Sequence, residues 1–282
     1  MKPVALQYPG GKSPASSTAL NQWINDLLPA ADHYCEPFAG MCGVLLGRSP
    51  AVSKHETVND LDDLIYGWWQ VVRDRHDELI EWLENTPNGR EQFAESQTLL
   101  YIGAPLGDVA KAGHVTVALG QGFMSGGLKG RPARGSWSRK LNVATGTHTA
   151  WANIADKVKR LTVRMRFVAL ENRDAVTVIG EYGRYPCNVL YVDPPYENVP
   201  DYYRATVDFD AMETVLADCQ AHVAISGYPS CRWDSLGWHR NELPVKSFVG
   251  RVTETGVDTS AQARTEVLWT NYDPSTVDNR LF

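Results

Sequence analysis

No stretch of this sequence stays apolar long enough to cross a bilayer, so a membrane-spanning helix is excluded. The opening residues, MKPVALQYPGGKS, lack the long apolar core of a signal peptide. A cytoplasmic protein is therefore expected, in a bacterial cell or in the host cell if the source is viral. Cysteine is scarce: Cys35, Cys42, Cys187, Cys219 and Cys231 are odd in number and scattered. That pattern supports neither a disulfide scaffold nor a Cys-x-x-Cys metal site, and free, mostly buried thiols are expected. No Cys, His and Asp cluster has metal-ligand spacing, so no metal is called for, and no segment repeats. A full Gly-x-Gly-x-x-Gly cradle is missing, which disfavours a dinucleotide. PGGKS (9–13) looks like the end of a Walker A loop, but Leu6 stands where the first glycine is required and no strand precedes it. A nucleoside triphosphatase is excluded on those grounds.

What is present suits a globular α/β protein. The 282 residues are 43% hydrophobic and 21% charged, enough for a large core with an insertion. The net charge of -6 conceals an asymmetry. Residues 109–166 hold eleven Lys or Arg and a single acid, Asp156, giving +10 and leaving -16 for the remainder. A basic segment on an acidic body suits a polyanion-binding surface, or a merely solvated insertion.

Residues 15–28 carry Leu20, Trp23, Ile24, Leu27 and Leu28 at helical spacing, closed by Pro29. Leu61 to Leu83 have the pattern of one or two helices before the Pro87-Asn88-Gly89 break. From Gly113 to Gly135 the glycine content predicts irregular chain, and helical character returns over 149–161. RMRFVAL (164–170), NVLYVD (188–193) and HVAISG (222–227) are compact apolar runs suited to buried parallel strands, with Glu171, Asp193 and Ser226 at their ends. EVLWTNY (266–272) is a further strand. The expected organisation is a catalytic α/β unit over 1–85 and 162–282, with 86–161 inserted.

Ligands in open α/β sheets sit beyond the carboxyl ends of strands, and the unusual polar positions fall there. Glu36-Pro37-Phe38-Ala39-Gly40-Met41-Cys42-Gly43 follows a strand. Gly40 and Gly43 would let backbone approach a ligand, and Phe38 could line one side. Asp60 ends the next strand about twenty residues later, a spacing suited to accepting from ribose hydroxyls. Its alternative role is a helix N-cap, for which Asp62 is equally placed.

LYVDPPYENV (190–199) runs a buried strand into an acid, two prolines and an aromatic ring. An amino group on an aromatic base is a poor nucleophile because its lone pair is delocalised. Acceptors for its N–H bonds favour a localised lone pair and take up developing positive charge. Asp193 supplies one acceptor and the Pro194 carbonyl another, with Pro195 stiffening the backbone. Tyr196 offers a face on which an extruded base can stack. The same quartet could also be no more than a tight turn.

Taken together these segments resemble the D12 class, the Dam-like DNA adenine-N6 methyltransferases. QYPGGK (7–12) resembles the amino-terminal motif, EPFAGMCG (36–43) the glycine motif, VNDLDDLI (58–65) the ribose-binding strand end, ENRDA (171–175) the segment near the cofactor adenine, and RTEVLWTNY (264–272) the terminal strand. DPPY, Asp193 to Tyr196, is the strongest match, and the order of motifs follows the family plan. Met41-Cys42 and Ala175 depart from the usual residues, Ala175 standing where Phe or Tyr is common. The resemblance implies a Rossmann-like S-adenosylmethionine-dependent methyltransferase sheet flanked by helices, with 86–161 a mainly helical or irregular target-recognition region. It implies S-adenosylmethionine bound by Tyr8, Gly10, Lys12, Glu36, Phe38, Gly40, Gly43, Asp60 and Asp174. It further implies catalysis by Asp193, Pro194, Pro195 and Tyr196 on a flipped adenine, and double-stranded DNA held by Lys129, Arg131, Arg134, Arg139 and Lys140. Action as a monomer is expected, with a cognate restriction endonuclease as companion in a restriction-modification setting. Cytosine-N4 methylation and a catalytically inactive DNA-binding protein on the same scaffold are the alternatives.

Overall fold

The computed structural model describes residues 6, 18–122, 137, 151–195, 207–247, 251–253, 256–258 and 262–277. Its centre is a seven-stranded sheet in the order β3-β2-β1-β4-β5-β9-β6. The parallel strands are β1 (Ala31–Glu36), β2 (Ser53–Asn59), β3 (Val168–Glu171), β4 (Asn188–Val192) and β5 (His222–Gly227). β9 (Gln262–Thr270) lies antiparallel between β5 and β6 (His239–Ser247). β7 (Arg251–Thr253) and β8 (Gly256–Asp258) form a separate two-stranded ribbon.

The two-residue period of a strand divides the sheet between two cores. Tyr34, Val189, Tyr191, Ala224 and Leu268 point to one face. Cys35, Leu190, Val192, Val223, Ile225, Val267 and Trp269 point to the other. Because both faces are covered, β4 and β5 are nearly continuous apolar runs. The first face is covered by α1 (Thr18–Leu27), α2 (Gly43–Gly47), α3 (Asp63–Asp74), α4 (His76–Glu84), α5 (Arg90–Tyr101), α6 (Asp108–Gly120) and α7 (Ile154–Met165). The second is covered by α8 (Ala175–Tyr182), α9 (Phe209–Ala217) and α10 (Cys231–Asp234).

Three sequence expectations are corrected. Gly113 does not open an irregular segment, because α6 runs through it to Gly120. His114 to Leu119 are all buried, and Gly113 packs against the Trp82 ring so closely that a Cβ there would lie 2.3 Å from a ring carbon. Burial thus holds as helix a β-branched run that propensity alone would leave ambiguous. The strand expected over 164–170 begins only at Val168, since Arg164 and Met165 complete α7 with Met165 in the core. The cysteines are free as expected but not mostly buried: Cys35 and Cys42 are, while Cys187 and Cys231 are exposed. The described helices of the 86–161 stretch share a core with α3 and α4, and α7 crosses residue 161. Among the described residues no helix is long and apolar enough to cross a membrane.

Candidate active site

The chain runs outward from β1 through β2 to β3, then returns to add β4 and β5 on the other side. The carboxyl ends of β1 and β4 therefore flank the point where the winding reverses, which is where such sheets open a crevice.

At the end of β1, Glu36 is 1% exposed. One of its oxygens accepts from Tyr34 Oη at 2.8 Å and from the Leu45 N–H in α2 at 2.7 Å. Burial outweighs these bonds and pushes its pKa up to about 8, with the Asp193 charge adding to the rise. Glu36 is therefore mainly a neutral acid at physiological pH.

The loop that follows turns through the left-handed region at Gly40 (φ 48°) and again at Cys42 (φ 53°). Glycine adopts that conformation freely, whereas Cys42 is held in it by an N–H bond of 2.7 Å to the Ala39 carbonyl. Two neighbours fix the Gly40 peptide. Its N–H donates to Asp60 Oδ2 at 2.8 Å, and its carbonyl accepts from Trp69 Nε1 at 2.8 Å. Phe38 packs toward the second core, and Gly43 opens α2.

Asp60 follows β2 as the spacing predicts. Its Oδ1 accepts from the Asp62 N–H at 2.9 Å, so two of about four acceptor sites on the carboxylate are used by backbone. Burial raises its pKa to about 6 against the pull of those two bonds. Asp62, not Asp60, caps α3 through Leu64 N–H at 2.9 Å.

Asn59, fully buried, was not singled out in the sequence. Its amide donates to the carbonyls of Pro37 at 2.9 Å and Arg173 at 3.0 Å, and its oxygen accepts from the Arg173 N–H at 2.8 Å. One side chain thereby binds the ends of β1, β2 and β3. Asn172 adds a bond of 2.8 Å to the Asp60 carbonyl. The only sequence signal for Asn59 was an amide one residue before the acid that follows β2. Asp174 caps α8 by accepting from Thr177 N–H at 3.0 Å, and the Ala175 side chain beside it is buried.

Across the crevice, Asp193 leaves β4 and accepts from Ser226 Oγ, at the end of β5, at 2.8 Å. Ser226 lies 2.8 Å from Tyr191 Oη. With its single proton committed to Asp193, Ser226 must accept from the Tyr191 hydroxyl. A relay buried beneath Asp193 thus holds one carboxylate oxygen and leaves Pro194, also buried, next in the chain. Tyr8, Gly10, Lys12, Tyr196, Lys129, Arg131, Arg134, Arg139 and Lys140 lie outside the described residues. Among the others, Gly40 is bonded to Asp60, and Glu36 lies near enough to Asp193 to feel its charge. Among the described residues no cluster of His, Cys, Asp and Glu could hold a metal ion.

Part of the chain matches a known family. Residues 8–114 match the model of the D12 class N6 adenine-specific DNA methyltransferases. A methyltransferase domain resembling that family is therefore present there, and the sheet with its flanking helices is of the Rossmann-like kind typical of S-adenosylmethionine-dependent methyltransferases. No curated protein matches the chain. Among solved structures, a precorrin 8w decarboxylase from Methanobacterium thermoautotrophicum aligns at 11% identity, covering 96% of this chain and 100% of its own, with a TM-score of 0.41. A precorrin-6y C5,15-methyltransferase from Geobacter metallireducens GS-15 aligns at 8%, covering 94% and 98%, with a TM-score of 0.37. A SAM-dependent methyltransferase from Agrobacterium tumefaciens aligns at 8%, covering 90% and 61%, with a TM-score of 0.36. The methyltransferase domain contributes Glu36, the Gly40 loop and Asp60, whereas Asp193 and Ser226 lie beyond the matched residues.

Proposed function

We propose that this protein is a DNA adenine-N6 methyltransferase that uses S-adenosylmethionine on a base flipped from duplex DNA. The carrying observation is the Asp193 carboxylate, fixed by Ser226 at the end of β4 and followed by Pro194, Pro195 and Tyr196, on the flank of the crevice opposite the glycine loop.

The residues present suit the cofactor. The left-handed turn at Gly40 brings backbone to the crevice, and Asp60 keeps acceptor capacity for ribose hydroxyls. Asp60, mainly ionised above its pKa of about 6, lends negative charge suited to a cationic group. When bound, S-adenosylmethionine supplies an electrophilic methyl on a sulfonium.

The chain's own residues do the remainder. Asp193 accepts one N6–H of the adenine and stabilises positive charge as it develops on that nitrogen. The Pro194 carbonyl accepts the second N–H. Tyr196 provides the stacking face, and the alkylated nitrogen, now acidic, loses its proton readily. Positioning and fixed electrostatics lower the barrier without a covalent protein intermediate. In this reading 86–161 recognises the target, with Lys129, Arg131, Arg134, Arg139 and Lys140 on phosphates or base edges.

The test is to incubate the protein with methyl-labelled S-adenosylmethionine and mixed-sequence duplex DNA, digest the DNA, and identify the labelled nucleoside. Label in N6-methyl-2'-deoxyadenosine is expected. Label confined to N4-methylcytosine would replace the target base, and cofactor and DNA binding without transfer would point to a binding protein.

A further inference from the structure

We propose that a cleft of about 790 Å³ between α2, the first half of β2 and α7 is a second ligand site, which takes a small phosphate monoester with an apolar body. The inference does not depend on the proposed reaction. The cleft is at the opposite end of β2 from Asp60, on the order of 20 Å away along a strand rising about 3.3 Å per residue.

Its charge is out of balance. Arg48, Arg160 and Arg164 all line it, and Glu56 is the one acid that does. Lys54, at the rim, is matched by Asp32 at 2.6 Å. Arg164 forks onto Glu56 at 2.6 and 2.8 Å, with both side chains at least nine-tenths buried, and its Nε–H has no acceptor among the described residues. Arg48 is 4% exposed and makes no ion pair among the described residues. It is held by Ser53 Oγ at 3.2 Å, by the Pro29 carbonyl at 2.6 Å, and by the face of Tyr34, 4.6 Å from the ring centre. Arg160 is exposed and likewise has no ion pair among the described residues. Three guanidinium groups thus share one carboxylate. Buried cations are ordinarily matched by anions, and buried Arg48 has none; with exposed Arg160 at the mouth the lining carries an excess of two charges, equal to that of a phosphate monoester near neutral pH.

The walls indicate what the phosphate is attached to. Val163 and Phe167, one turn apart on α7 and just past its end, are 75% and 88% exposed and line the same cleft. Exposed large apolar side chains beside unmatched cations suit an amphipathic anion, and the volume falls in the range of small-molecule sites. A phosphate is favoured over a carboxylate because its charge matches the excess and it has more oxygens for guanidinium forks.

Titration of the full chain with phenyl phosphate, followed by calorimetry, tests this. Saturable binding is expected, weakened about tenfold or more in Arg160→Glu, which removes one charge-assisted contact and sets a carboxylate against the anion. Phe167→Ala, a change at an exposed side chain, is expected to weaken it about threefold. Asp193→Ala, at the far end of the sheet, should leave it unchanged. Equal affinity in wild type and Arg160→Glu, or no saturation at millimolar ligand, overturns the site. Inorganic phosphate binding as tightly as phenyl phosphate overturns the apolar half, and benzoate binding as tightly overturns the choice of head group. Displacement by a short duplex would reassign the cleft to the DNA surface and overturn the small-molecule reading.

Discussion

Asp193 is one residue beyond β4, and what it can do depends on how Ser226 orients its carboxylate. The Tyr191–Ser226–Asp193 relay fixes one carboxylate oxygen by a bond of 2.8 Å and so sets the direction of the other. Ser226→Ala should lower the methylation rate at saturating substrate about tenfold while leaving cofactor affinity unchanged, since one hydrogen bond to a charged group is removed. Tyr191→Phe, which keeps Ser226, should cost less. A proportional loss of cofactor affinity would mean that Ser226 only supports the fold. Glu36 gives a second expectation at this scale. Its pKa rises from 4.5 to about 8, so folding takes up a proton between those values and the stability contributed by the group falls as pH rises through that window. Glu36→Gln keeps an oxygen for Tyr34 and Leu45 and cannot ionise. Its melting temperature relative to wild type should climb from about pH 5 to pH 8 and then level off. Parallel melting curves across that range would contradict a neutral Glu36.

Among the elements, the parallel strands and the loops at their ends were the most legible in sequence. DPPY announced itself by placing an acid and two prolines where an apolar run stops, the glycine turn by its Gly-x-x-Gly spacing, and Asp60 by its distance of about twenty residues from that turn. Asn59 was silent as a site residue, and Ser226 was legible only as a polar strand end with no role, since a single buried amide or hydroxyl has no period and no motif. Their roles exist only once strands distant in sequence lie side by side. Asn59→Ala should destabilise the protein by about 2–4 kcal/mol, because three bonds are lost and buried backbone groups are left without partners. Chemical denaturation would measure it, and a change below ~0.5 kcal/mol would show that the strand ends are held by other means. In α6 the sequence misled, because Gly113 reads as a breaker when it is a contact surface for Trp82. Gly113→Ala should destabilise in spite of alanine's helical preference of about 1 kcal/mol, since overpacking a ring typically costs about 1–3 kcal/mol. A stabilised variant would show that Trp82 has room to move.

At the scale of the whole molecule, period-two alternation assigns each central strand to two cores, and the outward-then-return winding makes the crevice. The α/β class and the parallel strands followed from apolar runs of strand length separated by helical ones. The antiparallel β9–β6 edge was only half legible: EVLWTNY signalled β9, whereas β6 mixes charge and Pro244 as an edge strand does. The two proposed flanks reach the sheet's switch point from opposite halves of the chain, the proposed cofactor side through β1 and β2 and the proposed reacting side through β4 and β5. A change on one flank should therefore spare the other. The decisive measurement is a single-turnover comparison of wild type and Asp193→Ala on duplex DNA, with S-adenosylmethionine affinity determined for both proteins. The expected result is a fall of at least ~100-fold in N6-adenine methylation with cofactor affinity unchanged. Methylation by Asp193→Ala at the wild-type rate, or loss of cofactor binding in step with activity, would contradict a catalytic carboxylate at the end of β4.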